Sequence, residues 1–333
     1  MIVPMRAQRV SSLPEYKPSA KLAGVIRNWG SDQMGPLMKR WEEGFHRYQP
    51  GIYFSDNLKG TATAQFGLHE WVADIAVSTR KIYPYEFYGV YRRSLLYPVE
   101  IETLDRARIA HAGAGSSATE AAAPAVCLLP GKGRIMVYAL GSTSSGIPSI
   151  WGAGDNQPGV NILTDLSDNT ADCITAEIGK TKQPGDIVVV SIHWGANWGF
   201  EIPSEQISFA HRLIEGGVDL VHGHSSHHVK AVELYRKKLV LYGCGDFLTD
   251  YEGISGYEQF RGDLGLMYLA QIEPSQGQLL ALRIVPVQSR RFRLERASPT
   301  DAQWLCRVFN DLGKPFGTEI RIEKDHSLVL ETE

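Results

Sequence analysis

The sequence predicts an α/β protein built around a mixed β-sheet, and two observations carry that prediction. From about residue 100 onward, amphipathic helical segments alternate with short apolar segments of strand character. Near the middle of the chain the order is strand, helix, strand and hairpin, which is typical of α/β folds with a mixed sheet. A chain of 333 residues can bury a large core, as one large or two modest domains.

Residues 1–99 are the part that the sequence specifies least. Helical periodicity is visible in residues 34–48, but the aliphatic stretches of this segment are short and predict no strand ladder. EIETLDRARIAHAGAG (100–115) then predicts an amphipathic helix that glycines end. The predicted organisation is a poorly specified segment over residues 1–99, a main domain over residues 100–300, and a C-terminal helix and strand extension over residues 301–333.

The middle of the chain contains the clearest elements. RIMVYAL (134–140) predicts a strand that ends in the Ser- and Gly-rich turn of residues 141–148. Residues 166–186 predict a helix with its cap at Ser167 and a Pro-Gly pair at its end. DIVVVSIHWG (186–195) is almost wholly apolar, which predicts a central strand covered on both faces of its sheet.

Three further elements follow towards the C-terminus. Residues 204–224 predict a helix capped by Ser204 and broken by a Gly-Gly pair, followed by the strand VDLVHG. Residues 230–247 predict a hairpin with its turn near residues 236–238. The basic segment RRFRLER (290–296) alternates with apolar residues, which favours the solvated face of a strand.

Composition and charge argue against several kinds of partner. A formal net charge of −3 supplies no broad cationic field, so neither nucleic acid nor an anionic membrane is an expected partner. No window approaches the roughly 18 apolar residues that a membrane span requires, and the N-terminus lacks the pattern of a secretory signal. The four cysteines lack CxxC spacing, which indicates a reducing compartment and a cytoplasmic location. They are Cys127, Cys173, Cys244 and Cys306.

Three histidines follow the ends of predicted strands, where open α/β sheets place their ligands. His193 ends the strand of residues 186–195, and His224 and His227 follow the next strand. If the two strands are neighbours, these imidazoles converge within reach of one cation. A lone histidine at a strand end is more often structural, but this glycine-flanked triple favours a metal site.

Other polar residues lie near these histidines in the sequence. Asp246 in GCGDF occupies another strand end, where it either joins the metal site or caps a turn. His222 precedes His224 by two positions and so lies on the same face, where it could hold a ligand or a bound water in place. His228 points the other way and is interpreted as structural or solvent-facing. The further acidic candidates are Glu201, Asp250 and Glu252.

Two motifs imitate known sites without their context. GAGSSA (113–118) resembles a dinucleotide-binding fingerprint, but it follows a helix-like segment and not a strand. GHSSH lacks the second glycine of the G-x-S-x-G element, so Ser225 and Ser226 are not expected to act as nucleophiles.

Six segments form a pattern that runs in order over about residues 100–300. They are ARIAHAGAGSSATEAAAPAV (107–126), GSTSSGIPSIW (141–151), PGVNIL (158–163), VVVSIHWGANWG (188–199), LIEGGVDLVHGHSSHH (213–228) and KLVLYGCGDFLTDYEGI (238–254). Together they resemble the CapA-type proteins of capsule and poly-γ-glutamate biosynthesis, which are related to calcineurin-like metallophosphoesterases. The resemblance implies a metallophosphatase-like sandwich of two mixed sheets flanked by helices, with a binuclear metal centre at the strand ends. It places the family's histidines on His193, His224 and His227, and Asp246 where much of the family has asparagine.

The N-terminal elements of that family pattern are missing from this chain. Residues 1–99 contain no Gly-Asp pair and no Asn-Leu-Glu element, and YGVYRRSLLYPVE (88–100) stands where Asn-Asn-His is expected. Two explanations remain open, a shifted reading frame, which we favour, and a divergent domain. Asp32, Asp56 and Asp74 could replace the missing carboxylates, although their sequence surroundings are those of ordinary turn residues.

The resemblance implies a metal-dependent hydrolase that acts on an anionic small molecule or polymer. In this chain a divalent ion such as Mn, Fe or Zn would be shared by His193 and His224, and His227 would reach a second ion. Asp246 would orient its loop. The alternative is a non-catalytic binding or assembly component that keeps the fold and has lost the chemistry.

Overall fold

A computed structural model describes most of the chain, which divides into two compact units, Met1–Leu96 and Tyr97–Glu333. The described residues are 18, 20–69, 72–78, 104, 107–131, 133–247, 256–290 and 293–331.

The first unit contains a three-stranded parallel sheet with the strand order β2-β1-β3. Its elements are β1 (Ala23–Gly30), α1 (Gly35–His46), β2 (Gly51–Asn57), α2 (Thr61–His69) and β3 (Ile75–Val77). The helix expected near residues 34–48 is therefore confirmed, and Pro36 stands in its first turn, where a proline needs no amide hydrogen. The strands were not predicted, because β1 carries few aliphatic residues and its first three positions are exposed.

The second unit contains a seven-stranded mixed sheet, a five-stranded antiparallel sheet and a small two-stranded pair. This arrangement of sheets and helices confirms the predicted α/β class. Its helices are α3 (Ala118–Ala122), α4 (Asp168–Thr181), α5 (Ser204–Glu215) and α6 (Pro299–Gly313). Its strands are β4 (Ala114–Gly115), β5 (Ala125–Leu129), β6 (Gly133–Ser142), β7 (Gly159–Val160), β8 (Ile162–Leu163), β9 (Ile187–His193), β10 (Leu220–His224), β11 (Val232–Tyr235), β12 (Lys238–Leu241), β13 (Leu264–Ile272), β14 (Leu279–Arg290), β15 (Arg293–Arg296), β16 (Ile320–Ile322) and β17 (Leu328–Leu330).

The seven-stranded sheet has the order β11-β12-β10-β9-β6-β5, with β8 beside β6. Strands β6, β9, β10 and β12 are parallel, so their carboxyl ends share one edge of the sheet. The predicted hairpin is confirmed by the antiparallel pair β11 and β12. Arg236 and Lys237 form its turn with φ of 50° and 63°, the left-handed conformation that a two-residue hairpin turn requires.

Strand β9 is covered fully on one face only, which corrects the prediction that both faces are buried. Val188, Val190 and Ile192 are completely buried in a core that includes side chains of α4 and α5. Val189 and Ser191, which alternate with them, are only partly buried. An apolar composition therefore does not distinguish a strand covered on one face from one covered on both.

Two helix predictions need correction at their ends. Helix α5 begins at Ser204 itself, with Pro203 at the capping position and no side-chain cap. In the helix predicted over residues 100–115, residues 100–103 and 105–106 lie outside the described residues. Arg108 has φ of 56° and Ile109 N–H donates to the Leu104 carbonyl, so the chain leaves the helical conformation before the glycines. The Ser167 cap of α4 is confirmed, because its side chain accepts from the Thr170 N–H.

Candidate metal centre

The carboxyl ends of β9 and β10 bring His193 and His224 together. The two strands are parallel neighbours, and these residues form the last pair of their register. Residues paired in this way project to the same face of a sheet. The two Nδ1 atoms lie 3.1 Å apart, and the ring centroids are 5.0 Å apart. Of the three predicted ligands, His193 and His224 are thus in direct contact.

Burial keeps both imidazoles neutral near pH 7. Desolvation lowers the pKa of His193, and the nearby His227 lowers it further. Desolvation lowers the pKa of His224 to about 4, with smaller contributions from His222 and His193. The neutral form of imidazole is the form that binds metal ions, so no proton has to be removed before a cation binds.

His227 lies on the loop after β10 and faces Asp246, which follows β12. Its Nδ1 is 3.0 Å from one carboxylate oxygen of Asp246 and 3.2 Å from the other. Its backbone N–H donates to the Asn197 carbonyl, which ties this loop to the one after β9. A carboxylate at Nδ1 favours the tautomer with the lone pair on Nε2, an arrangement found in many metal-ligating histidines. Asp246 therefore contacts a predicted ligand.

His222 lies below His224 on the same face of β10. Its Nδ1 is 2.9 Å from the Ser191 hydroxyl on β9, and its ring centroid is 5.4 Å from that of His224. Burial lowers its pKa. His222 also lines a cavity of about 360 Å³, whose other walls include Val189, Leu220 and Tyr268. The ring of His222 therefore packs against the ring of His224.

His228 is fully buried and does not face solvent. Its Nδ1 donates to the Val229 carbonyl at 2.8 Å, and its ring lies among those of Trp198, Phe200 and Phe260. Desolvation is the main reason that its pKa falls to about 4. His228 therefore packs the loop that carries His227 against the neighbouring aromatic residues.

Two loop serines satisfy the backbone around the site. The Ser225 hydroxyl donates to the Gly195 carbonyl, although Ser225 itself has a left-handed φ of 126°. The Ser226 hydroxyl donates to the His228 carbonyl and is buried. Both hydroxyls therefore contribute to the shape of the loops.

Sequence reasoning missed Ser144, which lies in the turn after β6. Its hydroxyl oxygen accepts from the Gly195 N–H at 3.0 Å and lies 2.8 Å from the Ser142 hydroxyl. Gly141 of β6 pairs with His193, so this turn reaches the same edge of the sheet. The rule that strand ends carry sites, applied to β6 as well as to β9 and β10, would have identified it.

The donor chemistry of this edge fits a divalent cation, but the described residues do not complete a coordination sphere. No group of three or more His, Cys, Asp or Glu side chains arranged for a metal occurs within the described ranges. His193 and His224 supply two nitrogen donors, and the His227–Asp246 pair lies on the adjoining loops. Asp250 and Glu252 lie outside the described residues. Glu201 is exposed, and its backbone carbonyl accepts from the buried Lys230.

Comparisons with known proteins identify the relatives of the central part of the chain. Residues 99–251 match the family model described as bacterial capsule synthesis protein PGA_cap. The chain is 41% identical over 229 residues to a probable polyglutamine synthesis accessory protein of Mycobacterium tuberculosis, which covers 68% of this chain and 60% of that protein. It is 29% identical over 83 residues to the capsule biosynthesis protein CapA of Bacillus anthracis, covering 24% and 20% of the two chains. The chain thus spans 60% of the length of its mycobacterial relative.

A different relative is a phosphate-binding protein. The chain is 31% identical over 71 residues to the phosphate-binding protein PstS of Pseudomonas aeruginosa, covering 21% of this chain and 22% of that protein. A phosphate-binding protein of a Streptococcus pneumoniae transporter, known from its crystal structure, aligns with 24% of this chain at 23% identity and a TM-score of 0.22. That score is too low to describe the fold. Within the described residues, no helix is long and apolar enough to cross a membrane.

Proposed function

We propose that this chain, which is of the CapA capsule type, is an accessory protein of polyglutamate or capsule synthesis that binds a divalent cation at the carboxyl edge of its seven-stranded sheet. The observation that carries the proposal is the pair of neutral imidazoles of His193 and His224, 3.1 Å apart at the ends of two parallel strands. A buried pair of this kind is a ready donor set for Mn, Fe or Zn.

The residues around the pair have separate tasks in this proposal. His193 and His224 hold the cation. His222 is fixed by its hydrogen bond to Ser191 and packs against the ring of His224. Asp246 fixes the orientation of His227, which reaches the same or a second cation. Ser144 and Gly195 hold the turn after β6 against the loop after β9. A cation held there would polarise an anionic group of a small molecule or polymer and lower the pKa of a bound water.

Elemental analysis of the purified protein tests the metal site. The wild type should retain a transition metal, and the His193→Ala/His224→Ala variant should lose it. His46→Ala is the matched control, because His46 is an exposed histidine of the first unit whose Nδ1 contacts the Ile52 carbonyl. Equal and negligible metal in the wild type and the double variant rejects the proposal.

Hydrolysis of a generic phosphodiester distinguishes an enzyme from its alternative, a non-catalytic binding or assembly component. The alternative is favoured by the missing Gly-Asp and Asn-Asn-His elements of the family pattern. An active protein should hydrolyse bis-p-nitrophenyl phosphate with added Mn²⁺ and lose that activity in the His224→Ala variant. Metal retention without hydrolysis favours the non-catalytic component.

We propose a second function, phosphate binding, for the first unit. Helices α1 and α2 each follow a strand of the parallel sheet, so both begin at its carboxyl edge. Strands β2 and β3 lie on opposite sides of β1, so the connection from β2 to β3 passes over β1. Such a switch point, with two helix N-termini, suits an anion. We infer that the 71 residues shared with the phosphate-binding protein lie in this unit, because the capsule-protein match begins at residue 99.

Calorimetric titration with inorganic phosphate tests this second function. The full chain should bind phosphate, and the Ser31→Ala variant should bind it more weakly, because Ser31 directly follows β1 at the carboxyl edge where the anion would bind. Binding that persists unchanged in this variant, or no binding by the wild type, contradicts the assignment.

A further inference from the structure

One amide of the first unit bridges two carboxylates from different elements. Asn28 lies in the central strand β1 and is fully buried. Its Nδ2 donates to Asp56 Oδ1 at 2.8 Å and to Glu42 Oε1 at 3.0 Å. Asp56 is its register partner in β2, and Glu42 projects from α1. The cluster of Asn28, Glu42 and Asp56 therefore joins both strands and the helix.

The amide oxygen of the same residue is buried without a hydrogen-bond partner. Asn28 Oδ1 is one of the few buried side-chain atoms of the described residues in this position. An unsatisfied buried acceptor is costly, and natural proteins seldom keep one without a reason such as a bound ion or water.

The two carboxylates also need compensation for their mutual repulsion. Glu42 and Asp56 are hydrogen-bonded to each other, which, together with burial, raises the pKa of Glu42. Arg27, which is next to Asn28 in sequence, is already engaged by Asp74. Two carboxylates in this arrangement must share either a proton or a cation.

The geometry of the cluster matches a cation bound through oxygen. A half-turn of the amide about its last side-chain torsion exchanges Nδ2 and Oδ1, which have nearly the same shape. The rotation gives up the two N–H donations of Asn28 to Glu42 and Asp56, so it is favourable only when a cation lies between the oxygens. The amide oxygen then lies 2.8 and 3.0 Å from the two carboxylate oxygens, where the nitrogen now is. These separations are close to the edge of about 2.9 Å of an octahedron with metal–oxygen bonds of about 2.05 Å.

We propose that Asn28, Glu42 and Asp56 form a binding site for a hard divalent cation such as Mg²⁺ or Ca²⁺. The donors are all oxygen atoms, which such ions prefer over the imidazole nitrogens of the second unit. Asp56 is exposed and Glu42 is half-buried, so water can complete the coordination on the outer side. The site uses none of the residues assigned to the candidate metal centre.

The cation would link α1 to strands β1 and β2. A cavity of about 500 Å³ lies between this helix and the strands, lined by apolar residues that include Ile26, Phe45 and Phe54. This cavity opens to the surface, and Glu42 also lines it. A bridge from Glu42 to β1 and β2 would add an attachment between the helix and its sheet.

Calorimetric titration of the full chain with CaCl₂, and separately with MgCl₂, tests the site. The His193→Ala/His224→Ala background removes the imidazole pair, so uptake cannot come from that edge. One cation should bind, and adding Asp56→Asn should weaken its binding by at least about tenfold. Asp74→Asn is the matched control, since it removes another carboxylate of the same unit and should leave cation affinity unchanged. Uptake of neither cation, or equal affinity with and without Asp56, overturns the proposal.

Glu42→Gln provides a second test that does not depend on calorimetry. If the carboxylates hold a cation, this variant should lose the rise in melting temperature that CaCl₂ gives the parent protein. If they share a proton instead, the variant should melt at or above the temperature of its parent and neither protein should respond to CaCl₂. The second result contradicts a cation site.

Discussion

The two ends of strands β9 and β10 differ in how their polar side chains are satisfied. At the amino ends, each strand is preceded by a buried aspartate, Asp186 or Asp219. Asp219 accepts from Lys182 at 2.6 Å, Lys238 at 2.5 Å and the Val188 N–H at 2.9 Å. At the carboxyl ends, the last pair of the register consists of two imidazoles whose Nδ1 atoms face each other.

The amino ends of these strands therefore serve the structure, whereas their carboxyl ends can bind a ligand. Both aspartates are paired with lysine or arginine side chains of the protein itself, so the amino end needs no further partner. The histidines are kept neutral by burial, so each imidazole keeps one nitrogen lone pair of the kind that transition metals use. Removing a group at the first end should therefore affect stability, whereas removing one at the second should affect binding.

The largest expected effect is the loss of stability in Asp219→Ala. This change leaves Lys182 and Lys238 without their carboxylate partner in a largely buried setting and should lower the free energy of unfolding by about 3 kcal/mol. Urea denaturation measures it. Asp172→Ala is the control, because its pair with Arg212 is exposed on both sides and should change stability by no more than about 1 kcal/mol. Equal effects of the two variants would show that the amino end is not specially stabilised.

The next effect concerns Asp246, at the other end of the sheet. Asp246→Asn keeps the size of the side chain but removes the charge that orients His227, so metal affinity should fall by about 10- to 100-fold. Calorimetric titration with Zn²⁺ measures the change. Glu201→Gln is the control and should leave the affinity unaltered. If both variants bind Zn²⁺ like the wild type, Asp246 has no part in the site.

A smaller effect is expected for Ser144→Ala. The variant removes the acceptor of the Gly195 N–H and should destabilise the protein by about 1 kcal/mol, as is usual for one hydrogen bond. Metal affinity should change by less than it does in Asp246→Asn, since Ser144 contacts a loop backbone and not a ligand. Chemical denaturation and Zn²⁺ titration of the same sample measure both quantities. A metal affinity that falls further than in Asp246→Asn would contradict this ranking.

The smallest effect is a dependence on pH of an exposed ion pair in the first unit. Hydrogen bonds from Arg27 lower the pKa of Asp74 to about 2. Because the pKa is lower in the folded state, the pair stabilises that state above the unfolded pKa of about 3.9, and this contribution is lost as the pH falls towards 2. Asp74→Asn should thus differ from the wild type in melting temperature at pH 6 and match it near pH 2. Both side chains are about 40% exposed, so the difference should be small. A difference that does not shrink on acidification would contradict the assignment.

The sequence predicts the second unit well because its signals are local. A Ser167 cap, the apolar run of β9 and a two-residue turn between β11 and β12 each depend on a few neighbouring residues. The strand-end rule also placed His193 and His224 at one edge, since both end apolar strands. What it does not give is the pairing order of strands, which depends on contacts far apart in the chain.

The first unit and the finer parts of the site were harder to predict. Strand β1 has exposed Val25 and a buried polar Asn28, which reverses the usual pattern of a strand. The link of Asn28 to Glu42 joins a strand to a helix that begins later in the chain, and no spacing in the sequence indicates it. Ser144 belongs to the Ser- and Gly-rich turn after β6, and the parallel pairing of β6 with β9 brings this turn to the site.

The absorption spectrum of the Co²⁺-loaded protein tests the central claim most directly. If His193 and His224 share a cation at the carboxyl edge, Co²⁺ should bind with visible bands of the intensity that nitrogen ligands in a low-symmetry site produce. The bands should be absent from His193→Ala/His224→Ala and present in His46→Ala. Co²⁺ spectra that are the same in the wild type and the double variant would contradict the account.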